Sequence, residues 1–254
     1  MGDDIAQPEV PGGDPGAAGA RPDTSPTALA RIRGVIVDWG GVMTSPIIET
    51  MNAWLSAEQI DRDSYVTVMR SWVVQAYVEG FEGNPIHALE RGECTDEEFE
   101  RLLAAELRHV DGQPVRAERL LERMFAAGVL QADMLDLVRS LRQEGLRTAL
   151  LSNSWGNSGF AYPRHLFAEL FDVVVISAEV GMRKPEERIF RHTAALLGLE
   201  PQECVFIDDV EANITAAQAI GLAALHHRES AATLAQLTEL IGALPGQEPA
   251  AEEG

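Results

Sequence analysis

The chain has 254 residues, 46% hydrophobic and 24% charged, the usage of an ordinary globular protein with material for a sizeable core. Its net charge of −20 excludes a nucleic acid or an anionic membrane as a general partner, and any anionic substrate must find a local cation. The two cysteines, Cys94 and Cys204, make neither a disulfide framework nor a zinc cluster.

Gly, Pro and Ala supply more than half of residues 1–30, and before Leu29 only Met1, Ile5 and Val10 are large and apolar. Such a segment buries too little surface to offset its ordering entropy, so a disordered acidic tail is expected there and again over 244–254. The start, Met1-Gly2-Asp3-Asp4, lacks the basic and apolar regions of a signal peptide. No stretch approaches the ~18 uninterrupted apolar residues of a membrane span. The expectation is a soluble cytoplasmic protein.

A short β-branched run at 34–38 (GVIVD) predicts a strand buried on both faces. Runs of the same character follow at 148–151 (TALL), 173–176 (VVVI) and 204–207 (CVFI), with a weaker fifth at 222–225 (LAAL). Helical patterns separate them. Residues 133–144 carry Met134, Leu137, Val138 and Leu141 at spacings of three and four. The stretch 185–197 opens on Pro185, Glu186 and Glu187, which suits a helix N-terminus. The stretch 211–220 stops at Gly221, a C-cap signal. Strands alternating with helices predict a parallel α/β sheet.

The stretch from Pro46 to Leu130 contains no strand signal. Thr95 and Glu98 form a capping-box pattern, and Phe99, Leu102, Leu103 and Leu107 make an apolar stripe behind it. The expected organisation is a Rossmann-like core over 31–45 and 131–243 with an all-helical cap inserted at 46–130. An insertion after the first strand hangs over the C-terminal sheet edge, where open α/β folds place their sites.

The polar residues after each predicted strand converge on that edge: Asp38; Ser152 and Asn153; Lys184; then Asp208 and Asp209, with Asn213 beyond. A carboxylate attacks phosphorus if the phosphoryl charge is neutralised. Lys184 supplies a point cation. Asp38 and Asp209 supply hard oxygen ligands that suit Mg²⁺. Ser152 offers a hydrogen bond to a phosphoryl oxygen. Two adjacent carboxylates beside an apolar strand are costly without a compensating cation.

The segments VIVDWGGVMTSP, LLSNS, GMRKPEERIF and VFIDDVEANITAAQAIGL together resemble the four motifs of the haloacid-dehalogenase superfamily, over about residues 34–226. ERGECTDEEF resembles part of a helical cap. The likeness is to small sugar-phosphate phosphatases and to the N-terminal phosphatase domain of bifunctional epoxide hydrolases. It implies Asp38 as the nucleophile of an aspartyl-phosphate, and Ser152 with Asn153 as ligands of the phosphoryl group. It implies Lys184 as the orienting cation. Mg²⁺ would be held by Asp38, Asp209 and the Gly40 carbonyl, with Asp208 acting through water or supporting the others. The implied substrate is a small phosphorylated metabolite, such as a sugar phosphate.

One position departs from the pattern. Family phosphatases usually carry a second Asp two residues after the nucleophile, as general acid and base; here that residue is Gly40. General acid–base catalysis is worth roughly 10²–10⁴-fold. A preference for good leaving groups, a substitute group such as His87, and a binding or regulatory protein without turnover all remain open. A metal-free dehalogenase fits less well, because it needs no acid cluster. Trp39 is read as a cap-interface or core residue, Trp155 as a pocket-lining residue or one packed between cap and core, and Trp54, Trp72 and Tyr77 as cap core. His87 and Arg91 are placed on an exposed cap face, His226 and His227 in a surface turn, and the helix 231–240 in packing.

Overall fold

The computed structural model describes residues 32–76, 83–155 and 162–242. The predicted tails and Tyr77 lie outside them. Five strands form one parallel sheet: β1 (Gly34–Val37), β2 (Arg147–Ser152), β3 (Val173–Ile176), β4 (Cys204–Asp208) and β5 (Ala223–His226). Their order is β3-β2-β1-β4-β5, with β1 at the centre.

The unbroken apolar run of β1 follows from this position. Side chains alternate along a strand, and helices cover both faces. Val35 and Val37 enter one core with Leu150, Val205 and Ile207, packed under α6 (Ala132–Gln143), α7 (Arg164–Leu170) and α11 (Ser230–Ile241). Ile36 enters the other with Leu151 and Phe206, under α9 (Glu187–Leu197) and α10 (Glu211–Ala219). Cys204 is buried in this second core as a small apolar side chain.

Between β1 and β2 lie α1 (Ile47–Ala57), α2 (Arg62–Ala76), α3 (Pro85–Glu90), α4 (Asp96–Glu106) and α5 (Leu120–Phe125), with no strand among the described residues. They build their own core of Trp54, Leu89, Phe99, Leu103, Leu107 and Leu121. Both halves of the Thr95–Glu98 capping box form at the start of α4. Trp72 packs against this core and Trp54 lies inside it. The two chain segments that join the helical insertion to the sheet run side by side: Ser45 N–H donates to the Val129 carbonyl at 2.7 Å, and Gln131 N–H to the Met43 carbonyl at 2.9 Å.

Three local expectations need correction. The helix expected from Pro185 begins at Glu187, because 183–186 close a turn of their own in which Glu186 N–H donates to the Arg183 carbonyl. A short helix α8 (Ser177–Val180) follows β3 and ends on Gly181 at φ 63°. His227 is not in a surface turn. It is buried, with Nδ1 2.8 Å from Thr233 Oγ1, and His226 ends β5 with Nε2 2.9 Å from the Asp209 carbonyl. The apolar LAAL run stops short of the pairing, which continues through His226 opposite Asp208.

Candidate active site

The parallel sheet ends all its strands at one edge, and register decides which side chains meet there. Val37 sits opposite Ile207, so Asp38, the next residue, lies beside Asp208. The Asp38 N–H donates to the Ile207 carbonyl at 2.9 Å. Lys184 reaches between the two carboxylates from the loop after α8, with Nζ 2.8 Å from Asp38 Oδ1 and 2.6 Å from Asp208 Oδ2. Its side chain is 1% exposed.

Asp208 is fully committed to holding this arrangement. Its Oδ1 accepts from Val210 N–H at 2.7 Å, and Asn213 Nδ2 donates to both oxygens at 3.1 Å. Asp209 is half-buried and stands beside the turn at Gly41. A Cβ on Gly41 would lie 2.2 Å from Asp209 Oδ2, and the residue sits at φ 77°. Glycine is therefore required there twice over. The Gly41→Ala variant is expected to lose at least about tenfold in divalent-cation affinity and ~1–2 kcal/mol of stability, read by calorimetric titration and thermal melting.

Asp38, Asp208 and Asp209 each offer one oxygen, all within 4.8 Å of one another. Three carboxylates against one ammonium leave two negative charges in a buried place. The electrostatics record the mismatch. Burial pushes the Asp38 carboxyl up to about 7 against the pull of Lys184, with Asp208 and Asp209 adding repulsion. Burial and the Asp208 charge push Asp209 up to about 6. Burial alone would lower Lys184, but Asp208 and Asp38 outweigh it and hold the ammonium charged. A hard divalent cation fits this donor set by charge and by atom type.

Ser152 closes β2, and its Oγ lies 3.0 Å from the Tyr162 hydroxyl. Asn153 does something the sequence did not reveal. Its Nδ2 donates to the Lys184 carbonyl at 3.0 Å and its Oδ1 accepts from the Lys184 N–H at 2.8 Å. Its amide thus fixes the backbone that carries the lysine. Ser152, Asn153 and Gly40 line a cavity of about 670 Å³ at the sheet edge. Trp155 lines the same cavity while packing edge-on against Phe99, which joins the two roles weighed for it, and Trp39 lines it from within the sheet's core, edge-on to Phe167.

Three features had no sequence signal. Tyr162 is buried, its phenol pushed up to about 12 by desolvation, and it belongs to no repeat or spacing. Ser177 Oγ accepts from the Ser154 N–H at 2.8 Å. A buried ion pair joins Glu90 of α3 to Arg183, the residue before the lysine, across 93 positions of sequence. Arg91 beside it pairs with Glu186, its Nε 3.0 Å from the carboxylate. The cap helix therefore docks on the lysine loop rather than facing solvent. Removing one partner of a buried pair leaves the other charge uncompensated. Glu90→Ala is expected to lose ~3 kcal/mol in denaturant unfolding, and Glu90→Gln less.

This docking also decides the status of His87. Burial, then the charges of Arg183 and Arg91, lower it to about 4, so the imidazole is neutral near pH 7. It does not line the cavity at the sheet edge. It is therefore a poor substitute for the carboxyl missing at Gly40.

The model of the haloacid dehalogenase-like hydrolases matches residues 32–221. The chain belongs to this family. Among curated relatives, bifunctional epoxide hydrolase 2 of Sus scrofa is 24% identical over 231 residues, 86% of this chain and 40% of that protein. The sesquiterpene phosphatase astK of Aspergillus oryzae is 34% identical over 119 residues, 45% of this chain and 60% of its own length. The chain thus spans less than two thirds of these relatives. A HAD family enzyme of Bacteroides thetaiotaomicron, crystallised with magnesium and inorganic phosphate, superposes with a TM-score of 0.52 at 21% identity, covering 78% of this chain and 94% of that one. That likeness speaks to the fold alone. No described helix is long and apolar enough to cross a membrane.

Proposed function

We propose that this hydrolase is a magnesium-dependent phosphomonoesterase that works through an aspartyl-phosphate on Asp38. The observation that carries the reading is the buried Asp38–Lys184 pair, flanked by Asp208 and Asp209, beside a cavity lined in part by Ser152 and Asn153. The sesquiterpene phosphatase astK and the fold neighbour crystallised with magnesium and phosphate support it.

In this reading Asp38, Asp209 and the Gly40 carbonyl hold Mg²⁺, with Asp208 supporting them. The ion supplies neutralisation of phosphoryl charge and of the carboxylate cluster. The residues do the rest. An Asp38 oxygen attacks phosphorus, the ester P–O bond breaks, and the alkoxide leaves. Lys184 and the Ser152 hydroxyl hold the equatorial phosphoryl oxygens as charge gathers on them. Water then attacks phosphorus, which releases inorganic phosphate and restores the Asp38 carboxylate. Gly40 places no carboxyl at the leaving oxygen, so the departing alkoxide must take its proton from solvent. This favours esters of acidic alcohols.

The first test is hydrolysis of p-nitrophenyl phosphate with Mg²⁺ and with EDTA, since its leaving group needs least protonation. Activity that vanishes with EDTA is the expected result. Activity indifferent to metal would overturn the magnesium part of the reading, and folded protein without turnover would favour a binding protein, the second reading, whose support is Gly40.

The same site predicts how metal binding follows pH. Binding needs ionised carboxylates. Asp38 near 7 and Asp209 near 6 take up protons as pH falls through that range. Mg²⁺ affinity is expected to fall by at least about tenfold between about pH 8 and pH 5.5, with proton release on binding. Titration calorimetry in two buffers of different ionisation enthalpy measures both.

A further inference from the structure

The walls of the cavity carry information that the chemistry at Asp38 does not use. Ser152 and Asn153 belong to its lining. The large apolar side chains of the lining are Trp39, Ile47, Phe125, Leu130, Trp155 and Tyr162, contributed by both the sheet edge and the helical insertion. Four of these six are aromatic. Trp155 is braced by Phe125 at 6.0 Å between ring centroids, and Trp39 by Tyr162 at 6.1 Å. Ile47 and Leu130 stay 37% and 38% exposed, large apolar side chains kept in contact with water at the rim of a cavity.

Several polar groups on these walls are already engaged, although the exposed Arg164 and His165 also line the cavity. Thr44 Oγ1 accepts from the Gly41 N–H at 3.2 Å. Thr50 Oγ1 lies 3.1 Å from Ser45 Oγ. The Asn153 amide is taken up by Lys184, and Arg164 is paired with Glu179. A polyhydroxylated leaving group would lose water against the aromatic walls and find few partners on them. An apolar one would gain contact on both sides.

Position 40 points the same way. A Cβ built on Gly40 would lie 3.1 Å from Ile47 Cδ1. Where a general acid would stand over the leaving oxygen, this chain presents an isoleucine methyl. The site thus combines an apolar seat with no proton donor at that position, and one class of ester meets both conditions. A phenol is apolar, ring-shaped and acidic enough to leave with little protonation.

We propose that the cavity lined by Trp39, Ile47, Phe125, Leu130, Trp155 and Tyr162 binds the leaving group of an aryl or similarly apolar, ring-bearing phosphate monoester, rather than a sugar phosphate. This inference rests on the phosphomonoesterase reading of Asp38 and sharpens its substrate class.

The test separates apolarity from leaving-group acidity by using matched pairs. Phenyl phosphate and 2-naphthyl phosphate have similar leaving groups but differ in apolar area. Hexyl phosphate and glucose 6-phosphate are both primary alkyl esters but differ in polarity. With Mg²⁺ present, kcat/KM is expected to favour 2-naphthyl over phenyl phosphate, and hexyl phosphate over glucose 6-phosphate, by about tenfold or more in each pair. Ile47→Asn and Leu130→Asn lie at the exposed rim, so the fold should survive them. Each is expected to narrow the naphthyl preference by raising KM. Trp155→Ala should narrow it further. Parity within both pairs, or preference for glucose 6-phosphate, would overturn the inference and leave the phosphatase standing. No metal-dependent, Asp38-dependent hydrolysis of any of the four would sink both.

Discussion

Asp38→Asn is expected to lower kcat on p-nitrophenyl phosphate by at least about 10⁴-fold and, at the same time, to raise the melting temperature of the metal-free protein at about pH 8. The first half follows from chemistry: the amide is a far weaker nucleophile and forms no aspartyl-phosphate. The second half follows from linkage. The folded-state value near 7 lies above the ordinary 3.8, chiefly because the carboxylate is buried beside two others. The folded protein therefore holds this proton to higher pH than the unfolded chain. The stability it lends is fully present below about pH 4 and is lost as pH rises through about 7. Every tenfold by which folding strengthens the hold on the proton corresponds to ~1.4 kcal/mol. At about pH 8 the ionised carboxylate therefore destabilises the metal-free protein by a few kcal/mol. Asn carries no such charge, so the variant should melt several degrees higher at about pH 8, and the gap should close toward about pH 4. Saturating Mg²⁺ should reverse the order, because wild type gains binding energy that the variant lacks. A variant less stable than wild type at high pH without metal would show that the Lys184 pair outweighs the repulsion.

The same cluster shows why some of the molecule was legible in the sequence and some was not. The sheet was readable because a central strand buried on both faces must be apolar throughout, and GVIV and CVFI are. The gathering of Asp38, Ser152, Lys184 and the Asp208-Asp209 pair was readable because each ends a strand, directly follows one or lies in the connection that leaves one, and parallel strands all end at the same edge. The cap's capping box was readable because it is local, set by Thr95 and Glu98 within a single helical turn. The Glu90–Arg183 pair was not, since ion pairs across 93 residues leave no periodicity. The Asn153 clamp on Lys184 was hidden for the same reason: an Asn after a strand suggests a ligand-facing amide, and only the folded loop shows it facing another backbone. The burial of His227 was hidden because a His-His-Arg run reads as polar, whereas in the fold the Thr233 hydroxyl on α11 meets its Nδ1.

Gly40→Asp is the change expected to add most. Gly40 is not among the residues held at positive φ, so an Asp backbone is accommodated there without strain. The obstacle is steric and small: the new Cβ would meet Ile47 Cδ1 at 3.1 Å, the far end of a side chain 37% exposed and able to turn aside. Paired with Ile47→Val, which shortens that side chain, the substitution directs a carboxyl from the cavity lining toward the place where the ester oxygen departs. If Asp38 is the nucleophile, protonation of that oxygen becomes available only in the variant. Its effect must then depend on the leaving group. On hexyl phosphate, whose alkoxide leaves badly, kcat is expected to rise by about 10²–10⁴-fold. On p-nitrophenyl phosphate, whose phenolate needs little help, the change should stay within a few-fold. A plot of log kcat against leaving-group pKa should therefore flatten from wild type to variant. An equal gain on all esters would mean that the carboxyl acts on metal or phosphoryl binding instead. An unchanged slope would mean that position 40 does not address the leaving oxygen, and that the loss of the family's second carboxylate is not what sets the substrate range of this chain.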